Sequence, residues 1–110
     1  MTPNDIADLY FAAVRTKDID GFVSLFADDA VMVFPNGKEA VGIAAIREVE
    51  AGVFEQSSPR PTALARVVGE ASIAVEVRSD LPDGSAKFTA NVYHLNTAGK
   101  IQRLSVYMRA

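Results

Sequence analysis

Apolar positions in the first third of the chain recur at spacings of three and four. Ile6, Leu9, Tyr10, Ala13 and Val14 form one stripe, preceded by Thr2-Pro3-Asn4-Asp5, which combines an N-cap threonine, a proline at the first helical position and an acid three residues after the cap. This pattern predicts a first helix. Asp18 caps a second, shorter one through Ile19, Phe22, Val23 and Phe26, which Asp28-Asp29 ends. Residues 30–34 read as a strand stopped by Pro35-Asn36-Gly37, and Gly42 precedes a third helix from Ile43 to about Phe54. Beyond Ser57-Ser58-Pro59-Arg60-Pro61 the period changes to two. Strands are expected near 62–68, around Ile73, Val75 and Val77, over Lys87–Leu95 and over Ile101–Arg109, with turns at Gly69-Glu70, Leu81–Ser85 and Asn96–Lys100. The order ααβα followed by a four-strand antiparallel meander defines an α+β fold, with helices covering one face of a curved sheet.

Composition narrows the function. At 110 residues and 49% hydrophobic, the chain fits one domain, residues 1–110, without an internal repeat. Eleven basic against fourteen acidic side chains give a net charge of −3, which argues against nucleic acid as a partner. The absence of cysteine and the single histidine, His94, point away from a metal site and from thiolate chemistry. No apolar run approaches the roughly 20 residues of a membrane span, so a cytoplasmic protein is expected.

Polar side chains in apolar places are the candidates for chemistry. Glu50 projects into the arc of Ile43, Ile46, Val49, Val53 and Phe54. Burial raises a carboxyl pKa, as a general acid or base near neutrality requires; the alternative is a frayed helix end at which Glu50 reaches water or an arginine. Tyr10 lies on the first helix's stripe, so its hydroxyl needs a partner. The strand 87–95 divides into Lys87, Thr89, Asn91, Tyr93 and Leu95 against Phe88, Ala90, Val92 and His94. Simple patterning buries the Phe88 face; covering both faces inverts the assignment. In the last strand Leu104, Val106 and Met108 suit a cavity wall, whereas Tyr107 and its neighbours suit either an interface or a solvated face.

Three segments, DIDGFVSLFADDA at 18–30, GIAAIRE at 42–48 and NTAGKI at 96–101, resemble the ketosteroid-isomerase branch of the NTF2-like superfamily, which includes the SnoaL-like polyketide cyclases. The resemblance covers nearly the whole chain and implies a cone-shaped half-barrel with an apolar pocket. It places Tyr10 at the oxyanion-donor tyrosine and Asn91 at the second donor, a protonated aspartic acid in those isomerases. Phe34 stands where they carry the proton-shuttling aspartate, which argues against steroid isomerisation by their usual route. Glu50 falls where they carry a tyrosine bonded to the oxyanion tyrosine, so a Glu50–Tyr10 hydrogen bond is the alternative to catalysis. Other branches match less well: Thr89 and Asn91 stand in the strand where part of an epoxide-hydrolase triad belongs, and His94 points away from the pocket.

The resemblance thus implies a ligand site with Tyr10, Glu50 and Asn91 as its reactive groups, lined by Val31, Val33, Phe34, Phe54, Tyr93, Leu104, Val106 and Met108. The expected ligand is a small apolar molecule with a carbonyl or phenolic oxygen, and cofactor-free isomerase or cyclase chemistry is the reaction implied. A homodimer through the outer sheet face, carrying Phe88, Val92 and Tyr107, is expected with it. The alternative function is a dimeric assembly domain with a non-catalytic pocket.

Overall fold

The computed structural model describes residues 1–109. Helix α1 (Pro3–Thr16) opens with a complete capping box: the Thr2 hydroxyl accepts from the Asp5 N–H, and the Asp5 carboxylate accepts from the Thr2 N–H. It stops at Lys17, whose left-handed backbone (φ 55°) turns the N–H groups of Lys17 and Asp18 back onto the Val14 and Ala13 carbonyls. Helix α2 (Ile19–Val23) is capped by Asp18 on the Gly21 N–H. It ends sooner than the apolar spacing suggests, because Phe26 already belongs to strand β1 (Phe26–Val33). Asp28 and Asp29 therefore do not end a helix; they are exposed positions of a strand that starts four residues before residue 30.

A three-residue strand, β2 (Glu39–Val41), folds back on β1 and escapes the sequence pattern because so short a segment shows no period. Helix α3 (Ile43–Gln56) is followed by the expected meander: β3 (Arg60–Val68), β4 (Ser72–Asp80), β5 (Ala86–Leu95) and β6 (Ile101–Met108). The six strands form one sheet in the order β2-β1-β6-β5-β4-β3, with β1 and β6 parallel and the other neighbours antiparallel.

Register assigns the faces. The rows Ile73–Tyr93–Leu104 and Val75–Asn91–Val106 turn toward the helices, whereas Ala74–Val92–Ser105 and Glu76–Ala90–Tyr107 face outward. This is the inverted assignment of β5, with Asn91 and Tyr93 inside. Met32 pairs with Leu104 on the inner face, so Val31 and Val33, opposite Arg103 and Ser105, lie on the outer one. Ile6, Phe22, Ile46, Ile73, Tyr93 and Leu104 are completely or almost completely buried between helices and sheet. None of the helices among the described residues is long and apolar enough to cross a membrane.

Candidate functional site

Between α1, α3 and the inner sheet face lies a cavity of about 170 Å³. Helix α1 contributes Tyr10, Phe11 and Val14, held over the sheet by Arg66 of β3, whose guanidinium donates to Asn4 at 3.0 Å and Asp8 at 2.6 Å. Arg15, one turn beyond Phe11, donates to the Pro61 carbonyl and so fastens the end of α1 to the start of β3. Met32 and Phe34 close one side, Glu50 and Val53 of α3 another. Pro59, Pro61, Val77, Ser79, Thr89, Asn91 and Val106 complete the wall.

The narrow end of the cone is filled by aromatic rings. Tyr10 stacks edge-on against Phe11 (5.3 Å between centroids) and Tyr93 (5.1 Å), and tilts against Phe22 at 5.0 Å. Their polar ends are joined in a line along β5. Thr89 Oγ1 donates to Asn91 Oδ1 at 3.0 Å, and Asn91 Nδ2 donates to the Tyr93 hydroxyl at 3.1 Å. The Tyr93 and Tyr10 hydroxyls interact in turn; burial first, then the charges of Tyr93 and Glu50, hold the Tyr10 phenol well above its ordinary pKa. Burial raises Tyr93 as well. Both phenols are neutral donors at physiological pH.

Glu50 differs from these groups. It is 4% exposed and lines the cavity, yet among the described residues no hydrogen bond or ion pair reaches its carboxyl. Desolvation alone pushes its pKa up to about 7. The Glu50–Tyr10 hydrogen bond entertained from the sequence is not formed: the carboxyl acts on Tyr10 only through its charge. Helix α3 does not fray at Glu50, since it continues to Gln56, and no arginine among the described residues pairs with the carboxyl; Arg47, three residues earlier, pairs with Asp20 instead.

Of the residues anticipated for the site, the cavity brings together Tyr10, Phe34, Glu50, Asn91 and Val106. It does not bring in the others. Val31 and Val33 point to the outer face, because the all-apolar run Ala30–Phe34 carries no alternation from which the inward parity can be read, and Met32 takes their place. Phe54 turns toward α2, edge-on to Phe22 at 6.0 Å, leaving Val53 on the cavity. Leu104 and Tyr93 are buried beneath the wall, Tyr93 taking part through its hydroxyl. Met108 is half exposed at the sheet's end, beside a shallow outer groove of about 420 Å³ with Phe88, Ala90 and Tyr107. Ser79, Pro59 and Pro61 are site residues that carry no sequence signal of their own beyond lying at strand ends.

Residues 7–104 match the model of the SnoaL-like domain. Solved structures of the same shape include a candidate polyketide cyclase from Sinorhizobium meliloti, with 25% identity and a TM-score of 0.83 over 93% of each chain. SalBIII, an epoxide hydrolase/cyclase-like enzyme with a role in pyran ring formation in polyether salinomycin, is 21% identical with a TM-score of 0.86, covering 97% of this chain and 90% of its own. A computationally designed 17-OHP binder is 20% identical with a TM-score of 0.85, over 99% and 92% of the two chains. NTF2-like, cystatin-like and ketosteroid-isomerase-like proteins also share the fold.

Proposed function

The chain belongs to the SnoaL-like domain family, and from that premise we propose that its cavity binds a small, largely apolar molecule bearing one carbonyl or phenolic oxygen. One observation carries this reading. Glu50 is a largely buried side chain whose carboxyl has no protein partner among the described residues and whose oxygens keep accessible surface on the cavity, so the carboxyl is available to a polar group that enters there. A candidate polyketide cyclase and the epoxide hydrolase/cyclase-like SalBIII, with its role in pyran ring formation, share the fold, which supports proton chemistry as the extension of this reading.

In that chemistry the Glu50 carboxylate takes a proton from the carbon next to a carbonyl. The C–H electron pair becomes the C=C bond of an enolate as the carbonyl π pair moves to oxygen; in a β,γ-unsaturated ketone the resulting dienolate takes the proton back at the γ-carbon, and the double bond shifts into conjugation. The enolate oxygen meets the second N–H of Asn91, whose first is committed to Tyr93, while the Tyr10 hydroxyl is engaged with Tyr93 and holds that end of the line in place. Phe34 supplies only an apolar wall. A carboxyl that titrates near 7 holds and releases a proton at similar cost, as such a shuttle requires. The test is deuterium wash-in at the α-carbon of a small cyclic ketone, followed by NMR in D2O. Exchange above the buffer rate that disappears in Glu50→Gln supports the shuttle; equal exchange in both proteins refutes it.

A second reading has its own observation. On the outer face, Tyr107 is 62% exposed beside the groove shared with Phe88 and Ala90, and that groove exceeds the inner cavity in volume. Self-association through this face, with the inner cavity idle, is the assembly reading. Ligand binding and dimerisation are compatible, so only the failure of all ligands favours assembly alone.

A further inference from the structure

The cavity's size and filling set the class of its ligand. Its volume is about 170 Å³, and an apolar protein cavity of about 150 Å³ takes one benzene ring. Two features prevent it from running deeper. The rings of Tyr10, Phe11, Phe22 and Tyr93 occupy the apex of the cone in mutual contact, with Tyr93 wholly buried. On another side, the ring of Phe34 forms part of the wall. The polar complement is small: among the described residues the side chains of Glu50 and Ser79 on the cavity make no hydrogen bond, whereas Thr89, Asn91 and Tyr93 are bonded to one another and leave one Asn91 N–H free. One ring with one oxygen fills this volume beside the free carboxyl, and a fused second ring extends beyond it toward the open side, where it leaves the apolar walls.

We propose that the cavity is selective for a single six-membered ring bearing one oxygen, a phenol or a cyclohexenone, and excludes fused-ring phenols and steroids. The proposal rests on the ligand-binding reading above and adds to it the size limit. Val106 of β6 and Val53 of α3 are the walls through which the limit can be moved.

The experiment measures affinities of the full chain by calorimetry for phenol, cyclohex-2-enone, 2-naphthol and progesterone. It uses the wild type, Val106→Ala to enlarge the cavity and Val53→Phe to fill it. Phenol and cyclohexenone are expected to bind the wild type at least tenfold more tightly than 2-naphthol, with no detectable binding of progesterone. Val106→Ala is expected to narrow the phenol-to-naphthol ratio at least threefold, and Val53→Phe to remove phenol binding while unligated melting shows a folded protein. Wild-type binding of 2-naphthol or progesterone as tight as that of phenol overturns the size limit while leaving ligand binding standing. Phenol binding unchanged by Val53→Phe overturns it too, since the phenol then sits elsewhere. Silence of every compound on both wild type and Val106→Ala overturns the ligand-binding reading itself.

Discussion

Asn91 donates its side-chain amide to the hydroxyl of Tyr93, two residues further along the same inward face of β5, at 3.1 Å. The bond is buried and shares Asn91 with Thr89, so three alternate residues of one strand form a polar line inside an otherwise apolar cone. Removing the acceptor strands the amide. Tyr93→Phe is expected to cost about 1–3 kcal/mol, the range for leaving a buried polar group unpaired. Tyr10→Phe removes a hydroxyl at the end of the line and is expected to cost about 1 kcal/mol. Urea unfolding of the two variants at one pH checks the order; equal losses contradict it.

Glu50 predicts an unusual pH dependence. Its carboxyl moves from 4.5 in the unfolded chain to about 7 in the folded one. A raised acid favours folding fully only below the unfolded value; that contribution is lost as pH rises from 4.5 through about 7 and stays lost above it. The span corresponds to about 3 kcal/mol. Glu50→Gln is therefore expected to match the wild type near pH 4 and to be more stable by up to about 3 kcal/mol near pH 8. Paired denaturation curves across that range measure the gap, and a constant gap contradicts the assignment.

The same titration sorts ligands. A phenol donates to the Glu50 carboxylate, whereas a ketone placed for proton abstraction keeps its oxygen on the Asn91 amide and presents only C–H to Glu50. Affinity for phenol is expected to rise as pH rises through about 7, and affinity for cyclohexenone to change less over the same interval. Glu50→Gln is expected to flatten both profiles. Parallel profiles for the two ligands run against a carboxyl contact.

Lys17 ends α1 in the left-handed region, at φ 55° and ψ 39°. A side chain with a Cβ is strained there, and glycine is not. Lys17→Gly is expected to raise stability by about 0.5–1 kcal/mol, after the loss to greater unfolded-chain freedom, as read from the melting temperature. A lower melting temperature contradicts the capping role.

The outer face makes a prediction for association. Tyr107 is 62% exposed and shares a row with Ala90 and Glu76, next to the row of Val92 and Ser105. Tyr107→Asp is expected to shift a wild-type dimer to monomer in sedimentation at micromolar concentration, with the melting of the monomeric fold retained. A wild-type monomer at that concentration removes the interface from consideration.

Where local chemistry decides structure, the sequence was readable. Thr2 and Asp5 mark the start of α1 because the capping box needs only neighbouring residues. Glu50 was legible for a similar reason: a helix has one angular period, and projection along α3 sets this carboxyl among residues that must be buried. Strands are less forthcoming. A one-residue choice of parity inverts every side chain; Ala30–Phe34 offers no alternation to choose it, and in Lys87–Leu95 the alternation favours the Phe88 face, the opposite of the one buried. For β5 the resemblance supplied the parity, and for β1 nothing did, which is why Val31 and Val33 were expected where Met32 lies. The ring contact that turns Phe54 away from the cavity depends on where α2 packs, a tertiary relation invisible in α3 itself.

The pairing of β1 with β6 sets when the cavity can exist at all. Met32 and Phe34 come from the first third of the chain and Val106 from the end of the last strand, and only the Met32–Leu104 alignment draws them into one wall. Until β6 docks, β1 has only the three residues of β2 to pair with, too little for a sheet to persist in water. Such a sequence-distant junction is slow to find and is entropically costly before it is rewarded. The last strand is thus a clasp: it joins a hairpin and a meander that cannot close the chamber separately, and makes site assembly a late event in folding.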